Sequence, residues 1–325
     1  MAERFSHAFD WTRRMVAEGR LPTAVLGIVT AQGVTALDAF GATEGRTAKI
    51  DDHYRLFSVT KPLLGLSAGR AIERGLLSTE TPLSAALPGF GTTRDDVVRL
   101  GHLASHTSGI SEPALDTATP LRDELLSAGR DFRAGSMSRY STLAFEGIAA
   151  LTEHATGLAW HDDIASWATP LGADELTLDE ASDPHHIVGA AAAGLDMQRF
   201  TALRSPGAAL IGRAGDLLAI GSALLRSGEG IVQPATHAMM LRPRTGDIPR
   251  LEPYPADRGQ DWGFTWNLRT RAPGLIDRDT YGHGGWSGAA FAVHPTAGVA
   301  YILLTNIAGA DVDVDLLDNA VVSAL

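Results

Sequence analysis

The sequence predicts an α+β protein: an antiparallel β-sheet flanked by terminal helices, with a mainly helical domain inserted into it. Three observations carry that expectation. Strand signal comes early, between residues 24 and 40. Residues 77 to about 205 are mostly helical patterning broken by loops, and strand signal returns after about residue 230, before a last helix. That order predicts a discontinuous sheet domain of residues 1–76 and 231–325 around a helical domain of residues 77–230.

Along the chain, Phe5, Ala8, Phe9, Met15 and Val16 share one helical face, and Gly19 is placed to stop that helix. Residues 24–30 and 35–40 read as two strands about a Gln32-Gly33 turn. Leu63, Leu66 and Ile72 then recur at near-helical spacing. Pro62 fits a helix only in its first turn, so this helix starts close to Ser58. Phe145, Ile148 and Leu151 lie on one face of a helix that Gly157 can end. Residues 262–268, 288–294 and 298–306 are β-rich runs separated by turn residues. A final helix carries Asp311, Asp313 and Asp315 near its positive end, with Leu317, Ala320, Val321 and Ala324 facing inward.

Composition narrows the function classes. Apolar residues make up 45% and charged residues 20%, the balance of a soluble globular protein. A formal charge of −11 excludes nucleic acid and anionic membrane as expected partners, because both need basic patches. The absence of cysteine removes disulfides, thiolate metal sites and a cysteine nucleophile together. The first residues lack the apolar core of a signal peptide, and no apolar run approaches the ~18 residues of a membrane span. A cytoplasmic location is expected on those grounds.

Ser58-Val59-Thr60-Lys61 is the stretch with chemistry in it. Of 27 lysines and arginines only Lys49 and Lys61 are lysine, so a lysine three residues after a serine stands out. Arginine stays protonated in proteins, whereas a desolvated lysine can lose its proton and act as a base. Three residues apart on a helix, the amine reaches the hydroxyl. Burial and a helix N-terminus both favour the neutral amine, and the Ser58 N–H at that terminus is available to an oxyanion. A serine with an adjacent base and an oxyanion donor is an activated nucleophile. Two further segments look like partners: Tyr140-Ser141-Thr142, which opens a helix, and His283-Gly284-Gly285-Trp286, which leads into the 288–294 strand.

With these segments in place the chain resembles the serine β-lactamase and penicillin-binding-protein superfamily. It is most similar to the class C β-lactamase branch, with its family VIII carboxylesterases. His102-Leu103-Ala104-Ser105-His106-Thr107-Ser108-Gly109, Pro170-Leu171-Gly172 and Leu304-Thr305-Asn306 resemble further segments of that branch, in the same order. The resemblance implies that Ser58 is acylated, that Lys61 keeps it activated, and that Tyr140 passes a proton to the leaving group. Whether Lys61 or Tyr140 is the acylation base stays open. Ser58 and Trp286 would supply the oxyanion N–H groups, and Thr142, His283, Gly284, Gly285 and Trp286 would contact substrate. Many members have Asn where this chain has Thr142, which removes a carboxamide suited to amide substrates. The expectation is therefore a serine hydrolase that passes through an acyl-enzyme on a small ester, a carboxylesterase. Its alternatives are an acyltransferase with an amine or alcohol acceptor, and a β-lactamase or amidase. No cofactor or metal is expected, and the oligomeric state stays open.

The remaining candidates read as structural. His102 and His106 have the spacing of a helical zinc pair but no His-Glu-x-x-His pattern. His185-His186 and His161-Asp162-Asp163 sit in polar surroundings that predict surface residues. The glycines of 282–288 lead into a strand, not from a strand into a helix, which argues against a nucleotide loop. Trp262, Trp266 and Trp286 are read either as an acyl pocket or as core.

Overall fold

The computed structural model describes residues 2–246, 248–251, 260–272 and 274–325. Its β-strands are β1 (Thr23–Thr30), β2 (Gly33–Thr43), β3 (Arg46–Thr47), β4 (Tyr54–Arg55) and β5 (Ile211–Gly212). They continue with β6 (Asp261–Trp262), β7 (Asn267–Leu268), β8 (Tyr281–Gly284), β9 (Ala290–His294) and β10 (Val299–Thr305). The α-helices are α1 (Ser6–Ala17), α2 (Thr60–Glu73), α3 (Leu100–Ala104), α4 (Leu121–Ser127) and α5 (Ala144–Thr156). Then follow α6 (Trp160–Ala168), α7 (Met197–Leu203), α8 (Ala214–Leu225), α9 (Pro234–Met240) and α10 (Val314–Val322). Among the described residues no helix is long and apolar enough to cross a membrane.

The main sheet runs β3-β2-β1-β10-β9-β8-β7-β6, with antiparallel pairing throughout. Strands from the two chain ends meet at its centre, where Leu26 pairs with Leu303 and Ile28 with Tyr301. β1 is buried almost end to end, which is why it reads as an unbroken apolar run. Its Ala24, Leu26 and Ile28 join Phe5, Ala8 and Trp11 of the N-terminal segment and Leu317 and Val321 of α10 in one core layer. Val25 and Val29 join Leu217 and Leu218 of α8 in the other. This is the α+β architecture expected from the order of elements. α8 falls within residues 77–230, but it packs chiefly on the sheet, against β1 and β10.

Two local departures from the sequence reading bear on the site. The 262–268 run is not one strand. It folds into β6 and β7, paired with each other around Thr265, which takes a left-handed φ of 66°. The His283–Trp286 segment does lead into a strand, β9, but His283 and Gly284 also end a strand of their own, β8, which pairs with β9, so Gly285 and Trp286 form the turn.

α2 is buried nearly all round, from Thr60 to Gly69, which marks it as the central helix of the molecule. It touches α5, α6 and α9, and a 3₁₀ turn at Phe57–Val59 leads into it. Pro62 sits in its first turn, where no helical hydrogen bond needs its missing N–H. A short ladder bolts the start of this unit in place. β4 pairs with β5, the Leu56 N–H donates to the Leu210 carbonyl at 2.9 Å, and the Leu210 N–H donates to Thr60 Oγ1 at 3.2 Å.

Candidate active site

Ser58 lies in the turn between β4 and α2, partly accessible, directly after a strained residue. Phe57 has a φ of 44°, a conformation an L-residue holds only when its surroundings dictate it. Here the surroundings are two rings: Phe200 stacks on Phe57 at 5.0 Å between centroids, and Trp286 lies tilted against it at 5.3 Å. The β8–β9 turn presses on the same place. A Cβ on Gly285 would lie 2.6 Å from the Leu56 carbonyl oxygen, so only glycine lets these backbones meet. Ser287 Oγ also donates to the Arg55 carbonyl at 3.3 Å.

One turn on, Lys61 is completely buried. Its Nζ is 2.9 Å from Ser58 Oγ, 3.2 Å from Thr142 Oγ1 and 2.8 Å from the Gly207 carbonyl oxygen. Only the carbonyl is restricted to accepting; both hydroxyls can also donate. A neutral amine therefore fits the same cage, donating to Gly207 and Thr142 while its lone pair takes the Ser58 proton. Burial lowers the Lys61 pKa to about 7, against a smaller opposing effect of the Glu112 charge. Gly207 has to be glycine, because a Cβ there would stand 2.9 Å from Thr142 Cγ2.

Tyr140 and Thr142 arrive from the segment just ahead of α5, which starts at Ala144, two residues after Thr142. The Lys61 amine sits 4.8 Å from the centre of the Tyr140 ring. His106 stacks on the tyrosine at 4.5 Å, and its Nδ1 accepts from the Ser141 N–H at 3.1 Å. That bond puts the ring proton on Nε2. Burial, helped by the nearby Lys61 charge, holds the His106 pKa well below its usual value, so the ring stays neutral. His106 is thus more than a plain core residue; it packs as a platform against Tyr140. Trp262 closes the same stack edge-on to His106 at 4.3 Å.

His283 faces this cluster from β8, 6.0 Å from the Tyr140 ring and 5.6 Å from Trp262. Its Nδ1–H donates to the Gly284 carbonyl at 2.7 Å, and burial followed by the Lys61 charge lowers its pKa to about 3. The wall it offers is neutral. A cavity of about 500 Å³, lined by Ser111, Glu112, Arg139, Tyr140 and Thr142 among others, opens on the other side.

The fold thus brings Ser58, Lys61, Tyr140, Thr142 and the His283–Trp286 turn together from three distant stretches. Trp286 contributes a ring against Phe57, whereas Trp266 is wholly buried against Tyr281, as core. His185 is not at the surface: it is buried, hydrogen-bonded to Asp52 at 2.8 Å and stacked on Tyr54. Asp163 is buried too, near the N-terminus of α6, where a carboxylate is favoured. Sequence reasoning missed Glu112 and Gly207. Glu112 is a lone acid in a loop, and Gly207 acts through its carbonyl, which no residue letter signals; only the Pro206-Gly207 pair marks a turn there.

Residues 9–325 match the family model described as Beta-lactamase. The chain belongs to that family. Solved structures of the same fold superpose on nearly all of it. A novel penicillin-binding-protein homologue from Caulobacter crescentus aligns with a TM-score of 0.83 at 20% identity, over 99% of this chain and 98% of its own. EstCE1, a hydrolase with promiscuous acyltransferase activity, aligns with a TM-score of 0.78 at 24% identity, over 99% of this chain and 98% of its own. In sequence, Esterase EstB of Burkholderia gladioli is 31% identical over 184 residues, 48% of this chain and 46% of that esterase. The match therefore spans about half of that relative's length.

Proposed function

We propose that this beta-lactamase-family chain is a serine hydrolase working through an acyl-enzyme, and that its substrates are small carboxylic esters. One observation carries the reading: a serine hydroxyl 2.9 Å from a fully buried lysine whose pKa falls to about 7. Lys61 Nζ takes the Ser58 proton as Oγ adds to the ester carbonyl. The N–H groups of Ser58 and Trp286 receive the oxyanion; each such donor is typically worth ~10²–10³ in rate. When the tetrahedral intermediate collapses, the ester C–O bond breaks and the proton travels by Tyr140 to the leaving alcohol. Water then adds to the acyl-enzyme, gives its proton back along the same route, and Ser58 leaves with its hydrogen restored. Thr142 stands where a carboxamide would recognise amide substrates, which favours esters over β-lactams or peptides.

Acyl transfer is the second reading. The cavity of about 500 Å³ beside Tyr140 and Thr142 has room for an alcohol or amine to take water's place. The shared fold of EstCE1, a hydrolase with promiscuous acyltransferase activity, is consistent with it.

A fluorophosphonate probe tests the nucleophile. Wild-type protein should label and Ser58→Ala should not, with an unchanged melting curve; equal labelling of the variant removes Ser58 from the mechanism. Mass spectrometry of the acyl-enzyme from a short p-nitrophenyl ester, timed with and without added alcohol or amine, separates hydrolysis from transfer. Nitrocefin turnover tests the amidase alternative.

A further inference from the structure

We propose that Glu112 is a positioning residue of this site: its carboxylate docks the Tyr140–Thr142 turn against Lys61 and holds a negative charge one residue away from the amine. The inference rests on the roles given above to Ser58 and Lys61. Glu112 lies on the loop after Gly109, with an exposed edge on the cavity beside Tyr140. One carboxylate oxygen accepts from the Thr142 N–H at 2.7 Å and the Leu143 N–H at 3.2 Å. The other accepts from the Ser141 hydroxyl at 2.6 Å and again from the Leu143 N–H at 3.2 Å. Three consecutive residues after Tyr140 are thereby tied to one side chain.

The same side chain reaches Lys61 through a single residue. The Thr142 N–H donates to Glu112 while the Thr142 hydroxyl meets the Lys61 amine at 3.2 Å. Every donor to the carboxylate is neutral, so contact leaves its negative charge uncancelled. The Thr142 and Leu143 N–H groups, just ahead of the thirteen-residue α5, point at the carboxylate, and a helix N-terminus favours its ionised form. Around Lys61 the other titratable groups are Tyr140 and the neutral rings of His106 and His283. Arg139 and Asp131 share the cavity wall with Glu112 and are paired with each other. Among the described residues Glu112 is the one charge that acts on Lys61, and it favours the ammonium against the larger effect of burial. Burial raises the Glu112 pKa, opposed by the hydrogen bonds from Ser141, Thr142 and Leu143 and by the Lys61 charge.

A plain helix cap would dock the turn and leave the lysine alone, so the test reads the lysine. The chain has two lysines, and Lys49 is exposed, which makes it an internal control. In protein labelled with ¹³C-lysine, the Cε shift of each can be followed against pH. Glu112→Gln keeps an oxygen for the Thr142 and Leu143 N–H groups and offers an N–H to Ser141 Oγ, so it removes charge and spares the docking. The Lys61 midpoint should fall by about half a unit or more, roughly a threefold gain in neutral amine at pH below it. Lys49 should not move, and fluorophosphonate labelling at low pH should quicken by a similar factor. A Lys61 midpoint that stays or rises overturns the inference, as does a folded Glu112→Gln protein that fails to label at any pH. If Glu112→Gln does not fold, Ser141→Ala decides: it keeps the charge and weakens the docking. Labelling should slow while the Lys61 midpoint stays put, and a shifted midpoint there overturns the charge role. Absence of labelling in the wild type would instead sink the hydrolase reading, while the lysine titration could still be measured.

Discussion

Arg94 and Lys61 are both cations withdrawn from water, but Arg94 lies against a carboxylate and Lys61 against neutral oxygens. Arg94 Nε and Nη2 donate to the two oxygens of Asp96 at 2.8 and 3.0 Å, and Nη2 also donates to the Ser108 carbonyl. The Ala134 N–H completes the carboxylate at 2.6 Å. The Arg94 hydrogen bonds, against a smaller cost of burial, hold Asp96 well below the usual carboxylate range. Such a pair stays ionised wherever the protein is folded, and its product is geometry: it ties the loop before α3 to residues 108 and 134. Lys61 has three neutral contacts and a carboxylate one residue further off, so burial dominates and the amine falls to about 7. The distance to the counter-charge decides whether a buried cation is scaffold or reagent.

Removing each cation's function should expose that difference. Lys61→Met keeps the length of the side chain and deletes the amine. Labelling should fall by ~10²–10⁴, the usual worth of a general base. The melting temperature should hold within a few degrees, because losing the hydrogen bond to Gly207 costs about 1 kcal/mol while the burial of an ionisable amine is relieved. A loss of labelling under threefold would contradict the base role. Asp96→Asn should do the reverse. It leaves a guanidinium covered and unpaired, and should lower stability by about 3 kcal/mol, the low end for breaking a buried pair, since residues 94 and 96 are only half-buried. The folded fraction should still label at close to the wild-type rate. Chemical denaturation beside labelling checks both halves, and an Asp96→Asn protein as stable as wild type would erase the contrast.

How much of this could be read in advance follows the same division. β1 is legible because it is an unbroken apolar run, α10 because burial repeats along it with a helical period, and Ser58 to Lys61 because a lysine stands in a chain that otherwise uses arginine. Pro62 then fixes where their helix begins. The 262–268 run misled because its aromatic residues fit a strand, and nothing in the letters announces the left-handed Thr265 that folds it back. His185 misled because the residues that satisfy it, Asp52 and Tyr54, are more than a hundred positions away. Glu112 was invisible for a related reason: its role comes from three backbone and hydroxyl donors thirty residues on, which no local pattern encodes. α8 was assigned by position to the helical segment, yet its apolar faces complete the sheet.

The pH dependence of the wild type sharpens the comparison with the smallest effect. In the proposed mechanism the reacting form of Lys61 is the neutral amine, and burial lowers its pKa in the fold from 10.5 to about 7. Labelling should therefore rise about tenfold per pH unit below 7 and level off above it. His106 and His283 add no step near neutrality, since burial keeps both uncharged there. Stability should move in the same direction over a wider window. Between about 7 and 10.5 the unfolded chain holds a proton on this lysine that the folded chain has released, so stability rises with pH there. Asp96 contributes nothing in that window, because its charge is stabilised in the fold and is lost only on strong acidification. Lys61→Met should flatten the alkaline rise in stability and leave the acid limb of Asp96 intact, as denaturant titrations at pH 3, 7 and 9.5 would read it. A rise that survives in Lys61→Met would assign the titration to some other group and leave the amine ordinary.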